Sequence, residues 1–267
     1  MQPTTLIMKL LKTGIIFLLL SWRGENPYPM VGAILVPAGY NRVGTVSGSF
    51  AAWLRTIPLK KDRTVYLYDG SPKLNQDAQF AVLDVSVGHK DLQQCADAVM
   101  RLRAEYLYGL RLFRLIDFYT EQGIRLNFAQ WAAARKVDLS DEKRSRASFD
   151  AYLQTVFSYC STRTLEKQLV PVSPFPGLEA GEVLIKGGAP GHAMLIIDVA
   201  EDSQGHRIYL LAQSYMPAQD IHIVRNPTDA ALSPWYRADE AKPVIETPEW
   251  TFTTNQLRTW PSHIDKL

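Results

Sequence analysis

The spacing of apolar positions divides the chain near residue 170. Before that point most apolar residues recur at helical intervals. Residues 49–57, SFAAWLRTI, place Phe50, Trp53 and Leu54 on one side behind Ser49 as N-cap, and Pro58 ends the helix they predict. Residues 89–109, HKDLQQCADAVMRLRAEYLYG, predict a longer helix capped by Asp91. Its stripe is Leu92, Cys95, Val99, Leu102 and Tyr106. A short helix follows over 127–137 and a long one over 145–169, with Phe149, Tyr152, Val156, Tyr159 and Cys160 inward. Two β-rich stretches interrupt them: 64–70, TVYLYDG, ending in an Asp-Gly turn, and 79–87, QFAVLDVSV, which leads through Gly88 to the Cys95 helix. Residues 113–119 are apolar and aromatic without a clear period.

Pro171, Pro174 and Pro176 end the helical region and mark a boundary between two halves. Strands are then predicted at 182–186 (EVLIK), 192–200 and 207–213. The last two flank the polar turn EDSQG and form a hairpin that brings Gln213 across from His192 or Met194. Residues 220–224 (DIHIV) add a strand, and the tail from Asn226 wraps the domain with one late strand near 250–253. The expected class is α+β: one domain over 25–267, helical to about residue 170 and β after it.

Composition narrows the classes. The 267 residues are 46% apolar and 21% charged, as in an ordinary globular protein. A net charge of +2 gives no global pull towards nucleic acid or an anionic membrane. Lys9 and Lys12 precede the apolar run TGIIFLLLSW, a basic region followed by a hydrophobic one of signal-peptide length; Met8 is an alternative start. Residues 1–24 are therefore read as a signal peptide or uncleaved anchor. The protein is expected to be exported, periplasmic or extracellular, touching a membrane only through that segment. Cys95 and Cys160 are the whole thiol inventory, and no C-x-x-C or H-x-x-x-H spacing accompanies them, so neither metal nor cofactor is expected.

The candidate chemistry lies in two stretches. Unpaired N–H groups and the dipole at a helix start stabilise an anion, so a thiol in that first turn is expected to react as thiolate. Cys95 is placed there, although its position on the apolar stripe equally suits a core thiol. His192 opens a strongly apolar run after GGAPG, whose small residues let a ligand approach the backbone. Cys95 with His192 makes a nucleophile–base pair, and Gln213 is the residue to orient the ring. Gln93 and Gln94 are candidate oxyanion donors, with surface or capping roles as the alternative. Arg103 lies off the helix stripe and is a candidate to bind an acidic group. Trp235 and Tyr236 suit a sugar or peptide groove or, as the favoured reading, the core.

The strings QQCADAVMRLRAEYL, PGHAMLIIDVAED and LLAQSYMPAQDIHI, with SPWY after them, closely resemble an uncharacterised bacterial family catalogued as a domain of unknown function, over about residues 36–250. A second resemblance is to papain-like folds, notably the NlpC and CHAP groups of cell-wall cysteine peptidases and amidases. Those place Cys at a helix N-terminus, a Gly-Glu strand, a Gly-His opening the next strand, and a polar residue on the strand after. GEVLIKGGAPGHAMLIID follows that order, with Cys95 upstream and Gln213 downstream, across a longer Cys-to-His gap. The resemblance implies a papain-like core and a cysteine peptidase or amidase acting on a cell-envelope peptide. A non-catalytic envelope protein that holds a peptide or glycan in the same cleft is the alternative.

The stripes of the Cys95 and Cys160 helices need not meet, so the two cysteines are expected to be unpaired. Thiol titration of the denatured protein should find both free without reductant. Two thiols that appear only after reduction would remove Cys95 as a nucleophile.

Overall fold

The computed structural model describes residues 25–261, so the predicted leader at 1–24 lies outside the described residues. The elements in chain order are β1 (Tyr40–Arg42), α1 (Phe50–Thr56), β2 (Gln79–Val82), α2 (Cys95–Gly109), β3 (Asp117–Tyr119), β4 (Arg125–Asn127), α3 (Phe128–Ala134), α4 (Glu142–Tyr159) and α5 (Thr162–Gln168). Then come β5 (Val170–Pro171), β6 (Val183–Lys186), β7 (His192–Asp202), β8 (Arg207–Gln213), β9 (His222–Val224), β10 (Tyr236–Arg237), β11 (Val244–Glu246), β12 (Thr251–Thr253) and β13 (Leu257–Thr259). The fold is α+β. Among the described residues nine strands form one antiparallel sheet in the order β2-β9-β8-β7-β6-β13-β5, with β1 on β7 and β10 on β8.

The boundary at the prolines is not a break in the sheet. Strands β1 and β2 of the first half join it, and β5, which contains Pro171, pairs with β13. Pro171 stands beside an end of the sheet order, where a strand lacking an N–H is tolerated.

Local side chains set several ends. Helix α2 begins at Cys95 rather than behind Asp91, because the Asp91 carboxylate is taken by the Ala218 N–H at 2.7 Å and the Gln94 side chain at 3.1 Å. Gln94 is the N-cap, and its N–H donates to Asp97 three residues on. The expected helix over 145–169 starts earlier and splits in two. Ser161 accepts from the N–H groups of Arg163 and Thr164, and Thr164 accepts from the Ser161 N–H, which starts α5 afresh. Residues 64–70 form only isolated bridges, Tyr66 to Pro72 and Leu67 to Gln219, because the chain turns back on itself there.

Strand β7 organises the packing. Its first nine residues are buried. Ala193, Leu195 and Ile197 pack with the helices, while Met194, Ile196 and Val199 pack with Phe252, Ile245 and Tyr209 on the other face. The pairing slips between Ile196 and Asp198, so Ile197 is an extra residue in β7. The bulge turns Asp198 to the helix side, where it is fully buried. It accepts from Arg55 Nε at 2.6 Å, Arg42 Nε at 2.7 Å and the Val199 N–H. One carboxylate thereby ties β1 and α1 to the middle of the sheet. Asp198→Ala should leave two arginines facing an apolar strand and cost about 2–4 kcal/mol in chemical denaturation; a loss under about 0.5 kcal/mol would refute the clamp.

Candidate functional site

The stretch before β7 must be glycine for steric reasons. A Cβ on Gly191 would lie 2.4 Å from the Gly188 carbonyl oxygen and 2.6 Å from the Thr162 hydroxyl. Thr162 Oγ1 in turn lies 3.3 Å from the Gly188 N–H, which fixes the turn against the start of α5. His192 therefore enters the sheet at a defined place, 2% exposed.

The entry to α2 is fixed from the other side. Ser214, just after β8, lies 2.9 Å from the Gln93 carbonyl oxygen. Asp91 holds the Ala218 N–H. The Cys95 sulfur, in a residue 8% exposed, lies where the backbone N–H groups of Ala96, Cys95 itself and Ala193 favour its anion. The last belongs to the peptide bond that joins Ala193 to His192. The structure thus brings Cys95 against the backbone at His192. Among the described residues no hydrogen bond joins the sulfur to the ring itself. Residues of opposite parity on β7 face opposite sides of the sheet, and His192 shares the side of Met194 and Ile196.

A chain of hydrogen bonds decides the state of the ring. His222, fully buried on β9, lies with Nδ1 2.9 Å from the Asp220 carbonyl oxygen, which only accepts, so Nδ1 donates. Burial, with the Lys73 charge, holds His222 down to about 3, so it is neutral and its Nε2 accepts. The Gln213 atom 3.2 Å from that nitrogen is the amide NH2, which also donates to Glu249 Oε2 at 2.8 Å. Gln213 Oε1 is thereby turned to His192 Nε2, 2.8 Å away. His192 donates from Nε2, and its Nδ1 carries the lone pair. Lys73 Nζ closes the chain with 2.6 Å to the same Glu249 oxygen. Above the ring stand Tyr215, Trp250 and Phe252, with centroids 4.8, 5.2 and 5.9 Å from it.

The expected thiolate–imidazolium pair is not what this environment favours. Burial pushes Cys95 up to about 11, and the Asp97 carboxylate adds to the rise against the three N–H groups. Burial holds His192 down to about 4, with Lys73 adding and Gln213 and Glu249 opposing. Near neutrality both partners are uncharged. The helix-start argument fails here on magnitude, because desolvation of the anion outweighs the backbone donors.

Other expected site residues separate. Gln213 joins His192 directly. Gln94 caps α2, and its amide turns to Asp91. Gln93 accepts from Arg101 at 3.1 Å and lines a cavity of about 300 Å³ with His89, Arg101 and Arg146, which contains neither Cys95 nor His192. Trp235, weighed as a groove residue or, by preference, a core one, is 1% exposed, packs in the helix-side core and gives its indole N–H to the Leu35 carbonyl. Arg103 is buried, with its guanidinium over the rings of Phe50, Tyr106 and Trp260. Cys95 and Cys160 are both free. Sequence reasoning missed Glu249, Lys73 and His222. Only His222, two residues after Asp220 in a strand pattern, carried a local signal.

Among the described residues no group of three or more His, Cys, Asp or Glu side chains is placed to hold a metal, and no helix is long and apolar enough to cross a membrane. Residues 31–259 match the family model described as Domain of unknown function (4846). No curated protein and no solved structure matches the chain.

Asp97 lies one turn into α2, and burial raises its carboxyl well above the ordinary range. Its folded form therefore binds a proton that the unfolded form releases, so this group's contribution is present at low pH and lost as pH rises. Asp97→Asn should have the melting temperature of the parent near pH 4 and a higher one near pH 8. A variant that is less stable at pH 8 would show that the carboxylate is a needed anion.

Proposed function

Because the chain belongs to the family of this domain of unknown function, we propose its activity from the site geometry: a papain-like cysteine peptidase or amidase that acts on a cell-envelope peptide after export. One observation carries the reading. Gln213 holds His192 in the tautomer whose free nitrogen is Nδ1, while the backbone N–H of the neighbouring Ala193 acts on the Cys95 thiol.

The chemistry starts from neutral partners. As the sulfur attacks the substrate carbonyl carbon, the thiol proton passes to His192 Nδ1 and the C=O pair moves to oxygen. Gln213 Oε1 accepts a stronger hydrogen bond from the imidazolium than from the imidazole, which favours the transfer. The imidazolium returns the proton to the leaving amine as the C–N bond breaks, leaving a thioester. Water, deprotonated by the same nitrogen, releases the acid and restores the thiol. The Cys95 N–H at the start of α2 is a donor for the oxyanion.

A second reading rests on burial. With Cys95 8% and His192 2% exposed, the same residues serve a protein that only binds an envelope peptide or glycan. The two readings part on one experiment. Incubated with peptidoglycan stem peptides, the protein should release new amino termini, and Cys95→Ala and His192→Ala should each lower the rate about 10³-fold or more. Iodoacetamide should modify Cys95 slowly at pH 6 and faster as pH rises, following a raised thiol pKa. Hydrolysis that survives Cys95→Ala, or a Cys95 inert to alkylator until the chain unfolds, would leave the binding reading.

A further inference from the structure

Beyond the three residues of the proposed reaction, a buried pair of opposite charges stands one hydrogen bond behind Gln213. Glu249 precedes Trp250, whose ring covers His192. Its Oε2 takes both the Gln213 amide and Lys73 Nζ, while Oε1 takes the Asn75 side chain at 3.2 Å. Lys73 is 9% exposed and Glu249 is half-buried. Nothing on the surface requires a charge pair at this depth, and burying one costs free energy that a packed apolar pair would not. A function for the pair accounts for that cost.

We propose that Glu249 is a positioning residue for His192, acting through Gln213, and that Lys73 opposes it, so the pair sets how readily the ring takes a proton. The proposal rests on the reading of Cys95, His192 and Gln213 given above. A primary amide can turn either end to a neighbour. Gln213 is prevented from turning because its NH2 meets two acceptors, the Glu249 carboxylate and His222 Nε2. Reversal would put the carbonyl oxygen against a carboxylate. The carboxylate thus decides which end faces His192, and hence which ring nitrogen is free. When the ring gains a proton, the Glu249 charge favours it across one polarised amide, and the Lys73 charge disfavours it.

The charged and titratable groups around the ring are few. Glu249 comes from the turn before β12, Lys73 from the loop before β2, and neutral His222 from β9. Tyr215 follows β8, and the Cys95 thiol comes from α2. Of these, Glu249 and Lys73 form the ion pair, and they act on the ring with opposite sign. A merely structural pair would not do so, because loss of either partner would loosen the site in the same way.

The test uses the full chain labelled with ¹⁵N in the histidine rings, followed by NMR. At neutral pH the His192 signals should be those of a single Nε2–H tautomer. Over a titration from neutral pH downwards, Lys73→Met should raise the His192 pKa and Glu249→Gln should lower it, each by about tenfold in proton affinity. The double variant, which replaces the pair by neutral isosteres, should return towards the parent and keeps the test available where a single variant fails to fold. Shifts of one sign for both single variants, no shift in either, a mixed tautomer in the parent, or a double variant that departs further than either single would overturn the proposal. The measurement needs no reactive thiol and is repeated in Cys95→Ala. If opposite shifts appear while Cys95 is inert in the folded chain, the enzyme reading falls and the positioning role stands. If Cys95 reacts but the shifts do not appear, the reverse holds.

Discussion

Burial of β7 on both faces constrains the rest of the structure. A strand with nine successive buried residues needs a cover on each side. The helices supply one, and the C-terminal segment with β11 and β12 supplies the other. Because neighbouring residues face opposite covers, any polar group on β7 must be satisfied within the protein. Asp198 is satisfied by two arginines on the helix side, and His192 by Gln213 on the other. The structural clamp and the candidate chemistry answer the same requirement at two points of one strand.

Low dielectric acts on both ends of the site. It strengthens each hydrogen bond from His222 to His192 and makes an unpaired member costly, so the network holds one arrangement. It also suppresses charge: the thiol is pushed up and the imidazole down, which disfavours a stored ion pair. The charges retained at depth, Glu249 and Lys73, neutralise each other and are connected to the ring through a single amide.

Much of the chemistry was legible because it is local. Cys95 at a helix start, His192 after a glycine-rich turn, and Gln213 two strands' length later are features of short segments, and the hairpin places the last two together. What was illegible is long in sequence. Glu249 meets Gln213 across 36 residues and Lys73 across 176, and nothing in PEW or SPK distinguishes those side chains from surface charges. Asp198 carries no local sign of its role, since its arginines stand 143 and 156 residues away. Trp235 was ambiguous because aromatics in a proline-rich tail suit a groove or a core equally.

The sequence by itself determined the class of the fold and the order of its main elements, and it brought Cys95, His192 and Gln213 forward as candidates. Periodicity, glycine sterics and turn chemistry act over a few residues and are written in the chain. Tertiary structure decided that the two halves share one sheet and that α2 starts at Cys95 because Asp91 is drawn to Ala218. It also decided the charge state of the site. Helix-start donors alone favour a thiolate, but desolvation depends on how many layers of protein lie above an atom, and no stretch of sequence carries that number.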